Sequence, residues 1–408
     1  MQKSLRIISA FLIVLLCFVR VNASEDINLD LKSEKYILYN LKDDSVLLAK
    51  DENNETSVAS LVKIMSVIVS IENNKDFDSK ITITQNMISD IASDVYKVGL
   101  KKGNKVTYDD LLYGSIIASG ADAVQSLAIY SCGSIDNAVK LMNEKAKELG
   151  LKHTHFTNVV GLYGEENYSS AYDMAQILKY ALKNEKFKKV FTTKEYTMSY
   201  DKKKKLTSTL VRFNKSAKQD ISFMTGSKTG HIKAAGYCLA STATINDIDY
   251  LLITLNAFND STAHIKDSIK IYKYFGDNYG YKTVFEEGKD IITLRVTTAE
   301  KDEYVVKTPY KKEMYLKNDF DPEKVEFKYE GKKELSSLNR KGSKIGSVTV
   351  TYEGKELDKF DCILGESIIF SLDKYLANYK YQILLFIFVV CTGVVGLMVR
   401  RKIKNKAI

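Results

Sequence analysis

The spacing of apolar positions changes along the chain and predicts where strands and helices lie. Tyr36 to Leu41 and Val46 to Ala49 are apolar stretches on either side of a short polar turn, the pattern of a β-hairpin. From about Ser60 to Leu182, apolar residues instead recur at three- and four-residue intervals. The chain is therefore predicted to pass from strands into a largely helical region. Its first helix carries Leu61, Ile64, Met65, Ile68 and Ile71.

Strand patterns return after about Val190. Tyr237 to Ile245 and Ile248 to Leu255 are rich in β-branched and aliphatic residues, and Asn246-Asp247 between them has the composition of a tight turn. Ile265 to Phe275 then shows helical spacing. This order predicts an α+β domain, in which one antiparallel sheet pairs its terminal strands and a helical subdomain is inserted between them.

Residues 280–372 alternate apolar and polar side chains, which is the period of half-buried strands. Glu330-Gly331 and Glu353-Gly354 supply turns between such segments. We predict a small all-β domain here. The alternating positions include Ile292, Leu294, Val296, Val325, Phe327, Tyr329, Val348, Val350 and Tyr352.

Residues 1–23 have the three parts of a secretory signal. Lys3 and Arg6 give a charged start, Ile7 to Val19 is apolar, and Val21-Asn22-Ala23 offers a cleavage site before Ser24. The alternative is an uncleaved N-terminal anchor, which the shortness of the apolar run disfavours. We predict that the mature protein begins at Ser24.

A second apolar run predicts a membrane-spanning helix at residues 381–399. A juxtamembrane linker at 373–380 precedes it, and a basic tail at 400–408 follows it. Because the run is apolar on all faces, a span is favoured over a helix that lies flat on the membrane. Flanking basic residues stay in the cytoplasm, so the predicted protein is single-pass in the cell membrane, with its body extracellular and its C-terminus cytoplasmic.

Charge and cysteine content narrow the possible partners. The net charge is +9, but the basic residues are dispersed and resemble no nucleic-acid-binding module, so anionic lipid or wall polymers are expected instead. Cys132, Cys238 and Cys362 are too widely spaced for a disulfide framework or a metal motif. His153 and His155 lack further ligands nearby and are interpreted as structural or surface residues. We predict no metal and no cofactor.

The first motif with candidate chemistry is Ser60-Leu61-Val62-Lys63, at the start of an apolar helix. Residues three apart on a helix share a face. A serine hydroxyl is a weak nucleophile that needs a base, and a lysine whose pKa is lowered by burial can serve. Chance often produces this motif, so alone it is weak.

Two further motifs follow. Ser119-Gly120-Ala121 lies on a predicted turn between helices, with Gly120 expected to supply an unusual backbone dihedral. Lys228-Thr229-Gly230 opens a predicted strand, where a cation and a hydroxyl can hold a carboxylate and a glycine lets the backbone approach closely. Each also occurs as an ordinary exposed turn, so only the combination is informative.

In this order the motifs resemble those of β-lactamases and penicillin-binding proteins. Val58 to Met65, Leu149 to Ala175 and Lys228 to Leu239 are, more specifically, similar to low-molecular-mass penicillin-binding proteins that act as D-alanyl-D-alanine carboxypeptidases. The resemblance covers nearly everything between signal and span. It implies a β-lactamase/transpeptidase-like catalytic domain over residues 24–279, with an antiparallel sheet flanked by helices.

The resemblance also implies catalytic roles. Ser60 would attack the D-Ala-D-Ala carbonyl and become acylated, after Lys63 takes its proton. Ser119 would help to relay a proton to the departing D-alanine. Water would then release the shortened peptide.

Substrate binding is implied for the third motif. Lys228 and Thr229 would bind the terminal carboxylate beside Gly230, and the backbone amides of Ser60 and His231 would form the oxyanion hole. The implied partners are peptidoglycan stem peptides and, as covalent inhibitors, β-lactam antibiotics. The C-terminal helix would join the enzyme to the bacterial membrane, and no nucleic acid is involved.

One position departs from the family pattern, since Ala121 stands where an asparagine is common. Alanine removes an amide that would orient Lys63 and bond the substrate, which could slow the reaction about ten- to a hundredfold. This departure motivates one alternative, a non-catalytic binder of wall peptides. A β-lactamase and an endopeptidase that acts on cross-links also stay open as alternatives.

Overall fold

The structure is a computed structural model, which describes residue 27 and residues 29–74, 76–217 and 220–406. The chain forms two compact units that divide between Asp277 and Asn278. The predicted signal peptide at 1–23 lies outside the described residues.

The first unit mixes strands and helices. In chain order its described elements are β1 (Ser33–Asn40), β2 (Ser45–Lys50), a 3₁₀ turn (Ala59–Leu61), α1 (Val62–Asn73), β3 (Ile81–Thr82), α2 (Gln85–Ile88), β4 (Lys105–Val106), α3 (Tyr108–Ile116), α4 (Ala121–Cys132), α5 (Ile135–Glu148), α6 (Ala171–Leu182), α7 (Glu185–Thr192), β5 (Glu195–Thr197), β6 (Lys205–Thr207), α8 (Thr209–Ala217), β7 (Met224–Ile232), β8 (Gly236–Ile245), β9 (Ile248–Ala257) and α9 (Ala263–Asn278).

One antiparallel sheet organises this unit, with the strand order β2-β1-β9-β8-β7. The first strand pairs with β9, so that Ile37 lies opposite Ile253. Asn246 and Asp247 turn β8 into β9 with φ values of 52° and 61°, as expected for a two-residue hairpin. The predicted pairing of terminal strands is confirmed, and β7 is left at one edge of the sheet.

The helical insertion lies between β2 and β7. In its central helix, α1, every residue from Val62 to Ile71 is buried, because the helix packs against α4, α5 and α6. A helix surrounded on all sides can hold a polar residue in a dry setting. Lys63 is such a residue, with only 1% of its surface exposed.

The second unit consists of short strands followed by one long helix. Its described elements are β10 (Tyr279–Phe285), β11 (Asp290–Thr297), β12 (Glu303–Lys307), β13 (Lys312–Lys317), a 3₁₀ turn (Pro322–Lys324), β14 (Val325–Gly331), β15 (Glu334–Ser336), β16 (Lys344–Tyr352), β17 (Lys355–Ile363) and α10 (Leu372–Lys406).

Small sheets enclose the core of the second unit. The antiparallel sheet β14-β16-β17 turns Val348 and Val350 inward, where both are fully buried, and Leu294 and Val296 reach the same core from β11. The alternation in the sequence therefore corresponds to one buried face on each of these strands. Together with the first unit, this confirms the predicted α+β class with an all-β region after it.

The last helix is apolar and uncovered. Its segment Leu372–Ile403 contains an 18-residue window with a mean hydropathy of 2.6, none of which is buried, and 32 residues at helical rise reach about 48 Å. That length is enough to cross a membrane. One continuous helix thus contains both the predicted linker, 373–380, and the predicted span, 381–399.

Candidate active site

Ser60 lies in a 3₁₀ turn directly before α1, held by an unusual backbone. Ala59 has a φ of 48°, in the left-handed region that side chains other than glycine rarely adopt. The loop at Gly161 presses against this turn, and a Cβ on Gly161 would lie 2.0 Å from the Ala59 carbonyl oxygen. Only glycine fits there, so the loop and the turn together fix the position of Ser60.

Lys63 places its amino group on the Ser60 hydroxyl. Nζ donates to Ser60 Oγ at 2.9 Å and to the Val160 carbonyl oxygen at 2.6 Å. Burial lowers the pKa of Lys63 to about 7, because the charged form is desolvated. A substantial fraction of Lys63 is then neutral near pH 7, which is the form that can take the serine proton.

The Val160 carbonyl is positioned by Asn158. The side-chain oxygen of Asn158 accepts hydrogen bonds from the backbone N–H groups of Val160, Gly161 and Leu162 at 3.2, 2.7 and 3.0 Å. An asparagine that bonds its own following backbone is a common turn device. The sequence motifs did not single out Asn158, although it lies within the stretch that carries the family resemblance.

Ser119 lies on the turn between α3 and α4, as predicted, but the predicted dihedral of Gly120 is wrong. Ser119 itself has a φ of 60°, and Gly120 is not among the residues of positive φ, because its φ is −63°. Gly120 is required for space instead, since a Cβ there would lie 2.8 Å from Val98 Cγ1.

Lys228 contacts Ser119 from the sheet. Its Nζ donates to Ser119 Oγ at 2.9 Å and to the Thr229 carbonyl oxygen at 2.5 Å. The pKa of Lys228 is lowered well below its usual value, first by burial and then by the positive charges of Lys63 and Arg212. The charges that act on the Lys228 amino group in this pocket are therefore positive.

The Lys228-Thr229-Gly230 motif lies inside β7, not at its start, and β7 is the edge strand nearest Ser60. A Cβ on Gly230 would lie 2.9 Å from the Ser60 backbone nitrogen, so glycine permits the close approach. The Thr229 hydroxyl is hydrogen-bonded to Thr209 Oγ1 at 3.0 Å.

A cleft of about 540 Å³ joins these groups. It is lined by six of the predicted site residues, namely Ser60, Lys63, Ser119, Thr229, Gly230 and His231. Lys228 is 1% exposed and reaches the cleft through its contact with Ser119. The structure thus brings together residues from three distant parts of the chain.

Ala121 and Asp122 begin α4, directly after Ser119 and Gly120. Ala121 is fully buried in the first turn of α4, and its N–H donates to the Tyr96 carbonyl at 2.8 Å. The carboxylate of Asp122 accepts the backbone N–H groups of residues 98, 99 and 100 at 2.7–2.9 Å. Asp122 thereby fixes the segment that continues from Asp94, Val95 and Tyr96 in the cleft wall.

Metal-binding side chains do not cluster in the part of the chain that the structure describes. His153 contacts Glu55 at 3.3 Å, and His155 contacts the Glu166 carbonyl oxygen at 2.6 Å. Both histidines therefore have structural partners. Cys132, Cys238 and Cys362 are buried free thiols.

The fold and the paired serine and lysine are those of a serine hydrolase. The D-alanyl-D-alanine carboxypeptidase model of peptidase family S11 matches residues 20–259. The chain belongs to this D-alanyl-D-alanine carboxypeptidase family.

Individual relatives agree with this assignment. The D-alanyl-D-alanine carboxypeptidase DacF of Bacillus subtilis is 28% identical over 320 residues, which cover 76% of this chain and 79% of DacF. A mutant of the Streptomyces K15 DD-transpeptidase is 30% identical, covers 60% of this chain and 97% of its own, and superposes with a TM-score of 0.54. Penicillin-binding protein 5 of Haemophilus influenzae, at 24% identity, shares the fold over 83% of this chain and 98% of its own with a TM-score of 0.60.

Proposed function

We propose that this carboxypeptidase removes the terminal D-alanine from peptidoglycan stem pentapeptides through an acyl-enzyme on Ser60. The observation that carries the proposal is the 2.9 Å contact between Lys63 Nζ and Ser60 Oγ. It joins a nucleophile to a base whose pKa is suited to neutral pH.

Acylation begins when neutral Lys63 takes the Ser60 proton and Ser60 Oγ attacks the carbonyl of the D-Ala-D-Ala bond. The negative charge on the tetrahedral oxygen is stabilised by the backbone N–H groups of Ser60 and His231. The close approach of β7 at Gly230 to the Ser60 backbone supports this assignment.

Departure of D-alanine needs a proton and an anchored carboxylate. Ser119, hydrogen-bonded to Lys228, relays the proton to the leaving amine. Lys228 and Thr229 bind the terminal carboxylate, and that negative charge offsets the repulsion of Lys228 by Lys63 and Arg212. Substrate binding therefore favours the protonated form of Lys228.

Deacylation transfers the acyl group from Ser60 to water and regenerates the enzyme. A penicillin would acylate the same serine, but its opened ring stays attached to the acyl group. The ring leaves water no room to attack the ester, so the acyl group is released slowly. We therefore expect penicillins to form a long-lived ester on Ser60, which distinguishes this enzyme from a β-lactamase.

The domain order and the charge pattern support a location at the outer face of the cell membrane. We propose a catalytic domain at 24–279, an all-β domain at 280–372 and an anchor in the helix that begins at Leu372. The basic residues after Val399 favour a cytoplasmic C-terminus.

The test is D-alanine release from a pentapeptide ending in D-Ala-D-Ala, using the full chain in detergent. We expect release by the natural chain and at least about a 10⁴-fold loss in Ser60→Ala. Ser57→Ala, three residues away, is the matched control and should retain activity. If the folded natural chain releases nothing yet binds the peptide, the non-catalytic alternative suggested by Ala121 is correct.

A further inference from the structure

The proposed chemistry fixes the direction in which a substrate lies along β7. Lys228 and Thr229 hold the terminal carboxylate, and His231 lies at the scissile carbonyl. The part of the stem peptide that precedes the scissile bond must then continue beyond His231, toward Ile232 and Lys233. This inference rests on the proposed function, because it uses that substrate orientation.

Polar groups line this end of the cleft without a role in the chemistry. The cleft wall beyond His231 includes Lys233, Tyr237, Ser261 and His264. Lys233 and Ser261 are exposed, and Lys233 forms no ion pair with any residue that the structure describes. A cation and a hydroxyl that have no side-chain partner among the described residues thus line the cleft where the acyl part of the substrate would lie.

His264 is the most unusual of these groups. It is only 3% exposed, and its Nδ1 has no hydrogen-bond partner among the described residues. Its ring stacks on Tyr237 at a centroid distance of 5.4 Å, and Tyr237 stacks on His231 at 4.0 Å. A buried polar atom without a partner is costly, so a ligand that supplies one is favoured.

The charge state of His264 suits hydrogen bonding. Burial lowers the pKa of His264 to about 4, although Asp260 opposes this shift and His231 adds to it. A neutral imidazole can carry its proton on Nδ1 and donate it. The Asp260 carboxylate is already bonded to Thr262 and Lys266, at 2.7 and 3.0 Å.

We propose that Lys233, Ser261 and His264 form an acyl-side subsite that binds a free carboxylate of the stem peptide, upstream of D-Ala-D-Ala. Lys233 supplies the charge, while Ser261 and His264 supply hydrogen bonds. Asp94 is the one carboxylate among the described residues that line the cleft, so the cleft as a whole favours an anionic group. The subsite makes the enzyme selective for stem peptides whose third residue is not amidated.

Two pentapeptides test this subsite on the natural full-length chain in detergent. Both end in D-Ala-D-Ala, and they differ only in whether the side chain of the third residue ends in a carboxylate or in the carboxamide. We expect kcat/KM for the carboxylate peptide to be about tenfold higher, because a charge-assisted contact is lost on amidation. Equal values for the two peptides would overturn the subsite and leave the proposed function intact. No release from either peptide would instead contradict the proposed function.

Single substitutions test which residues cause the preference for the carboxylate peptide. Lys233→Gln and His264→Phe should each reduce the tenfold preference to about twofold or less, mainly through the carboxylate peptide. Lys183→Gln, at an exposed lysine on the C-terminal end of α6, is the matched control and should keep the preference. The rate of acylation by benzylpenicillin, which lacks the upstream residues, should be unchanged in the Lys183→Gln control. If Lys233→Gln slows the release of D-alanine from both peptides equally, the subsite is refuted. Because Lys233 is exposed, the Lys233→Gln variant decides the test even if His264→Phe does not fold.

Discussion

Two lysine–serine pairs with the same Nζ–Oγ distance meet at the cleft. They differ in how far apart the partners lie in the sequence and in the charges around the lysine. Lys63 donates to Ser60 at 2.9 Å, and Lys228 donates to Ser119 at 2.9 Å. Both lysines are 1% exposed. The first pair spans three residues of one helical segment, whereas the second joins positions 109 residues apart.

The charges around the two lysines explain their separate tasks. Burial alone lowers the pKa of Lys63 to about 7, which suits a proton acceptor. Lys228 is destabilised by burial and also by two neighbouring cations, Lys63 and Arg212, so it gains most from an arriving carboxylate. The same Nζ–Oγ distance thus suits the proposed base in one pair and the proposed anion-binding group in the other.

Of the two lysines, Lys63 should show the larger effect when it is replaced. Lys63→Gln should slow acylation of Ser60 by about 10³-fold, because the glutamine amide cannot accept the serine proton. Rapid-quench measurement of benzylpenicillin acylation reports this step directly. The melting temperature of the variant is the control for folding, and a variant that keeps more than about a tenth of the rate would contradict the role of Lys63.

Removing the second lysine should cost less and affect binding more. Lys228→Gln should lower kcat/KM for D-alanine release by about 100-fold, since a charge-assisted bond to the terminal carboxylate is lost. Lys202→Gln, on the exposed turn between β5 and β6, is the control. Equal losses in the two variants would show that general positive charge, and not this contact, is responsible.

The pH dependence of kcat tests the role of Lys63 without a mutation. Protonated Lys63 cannot act as a base, so kcat at saturating peptide should rise with pH about tenfold per unit below pH 7. It should level off above that pH, where Lys63 is neutral. A rate that is independent of pH between about 5 and 7 would exclude Lys63 as the base.

The smallest effect is expected at Ala121. Ala121→Asn introduces an amide near Lys63 and should raise kcat/KM by up to about tenfold, as a hydrogen bond to Lys63 or substrate forms. Because Ala121 is fully buried, the melting temperature must be measured in parallel. A slower but equally stable variant would mean that the alanine is adapted to this enzyme.

Local pattern predicted the parts of the fold that depend on local interactions. The β8–β9 hairpin, the strand alternation of the second unit and the helical spacing after Leu61 all follow from periodicity and turn chemistry. The pairing of Ser60 with Lys63 was also accessible, because residues three apart on a helix share a face.

Long-range placement could not be read from the sequence. The contact between Ser119 and Lys228 depends on the packing of the helical insertion against β7, and the positive φ of Ser119 has no signal in the residue type. From the sequence, Asn158 has the chemistry of an ordinary turn residue. Only the structure shows that the loop it holds carries the carbonyl that contacts Lys63. Packing, not residue type, gives these positions their role.

Covalent trapping tests the central claim most directly. The full chain in detergent is treated with benzylpenicillin, digested with trypsin, and analysed by mass spectrometry. We predict one adduct on the peptide Asp51–Lys63, with fragmentation placing it on Ser60 and not on Ser57. An adduct on another serine, or none on a folded protein, would contradict the assignment of Ser60 as the nucleophile.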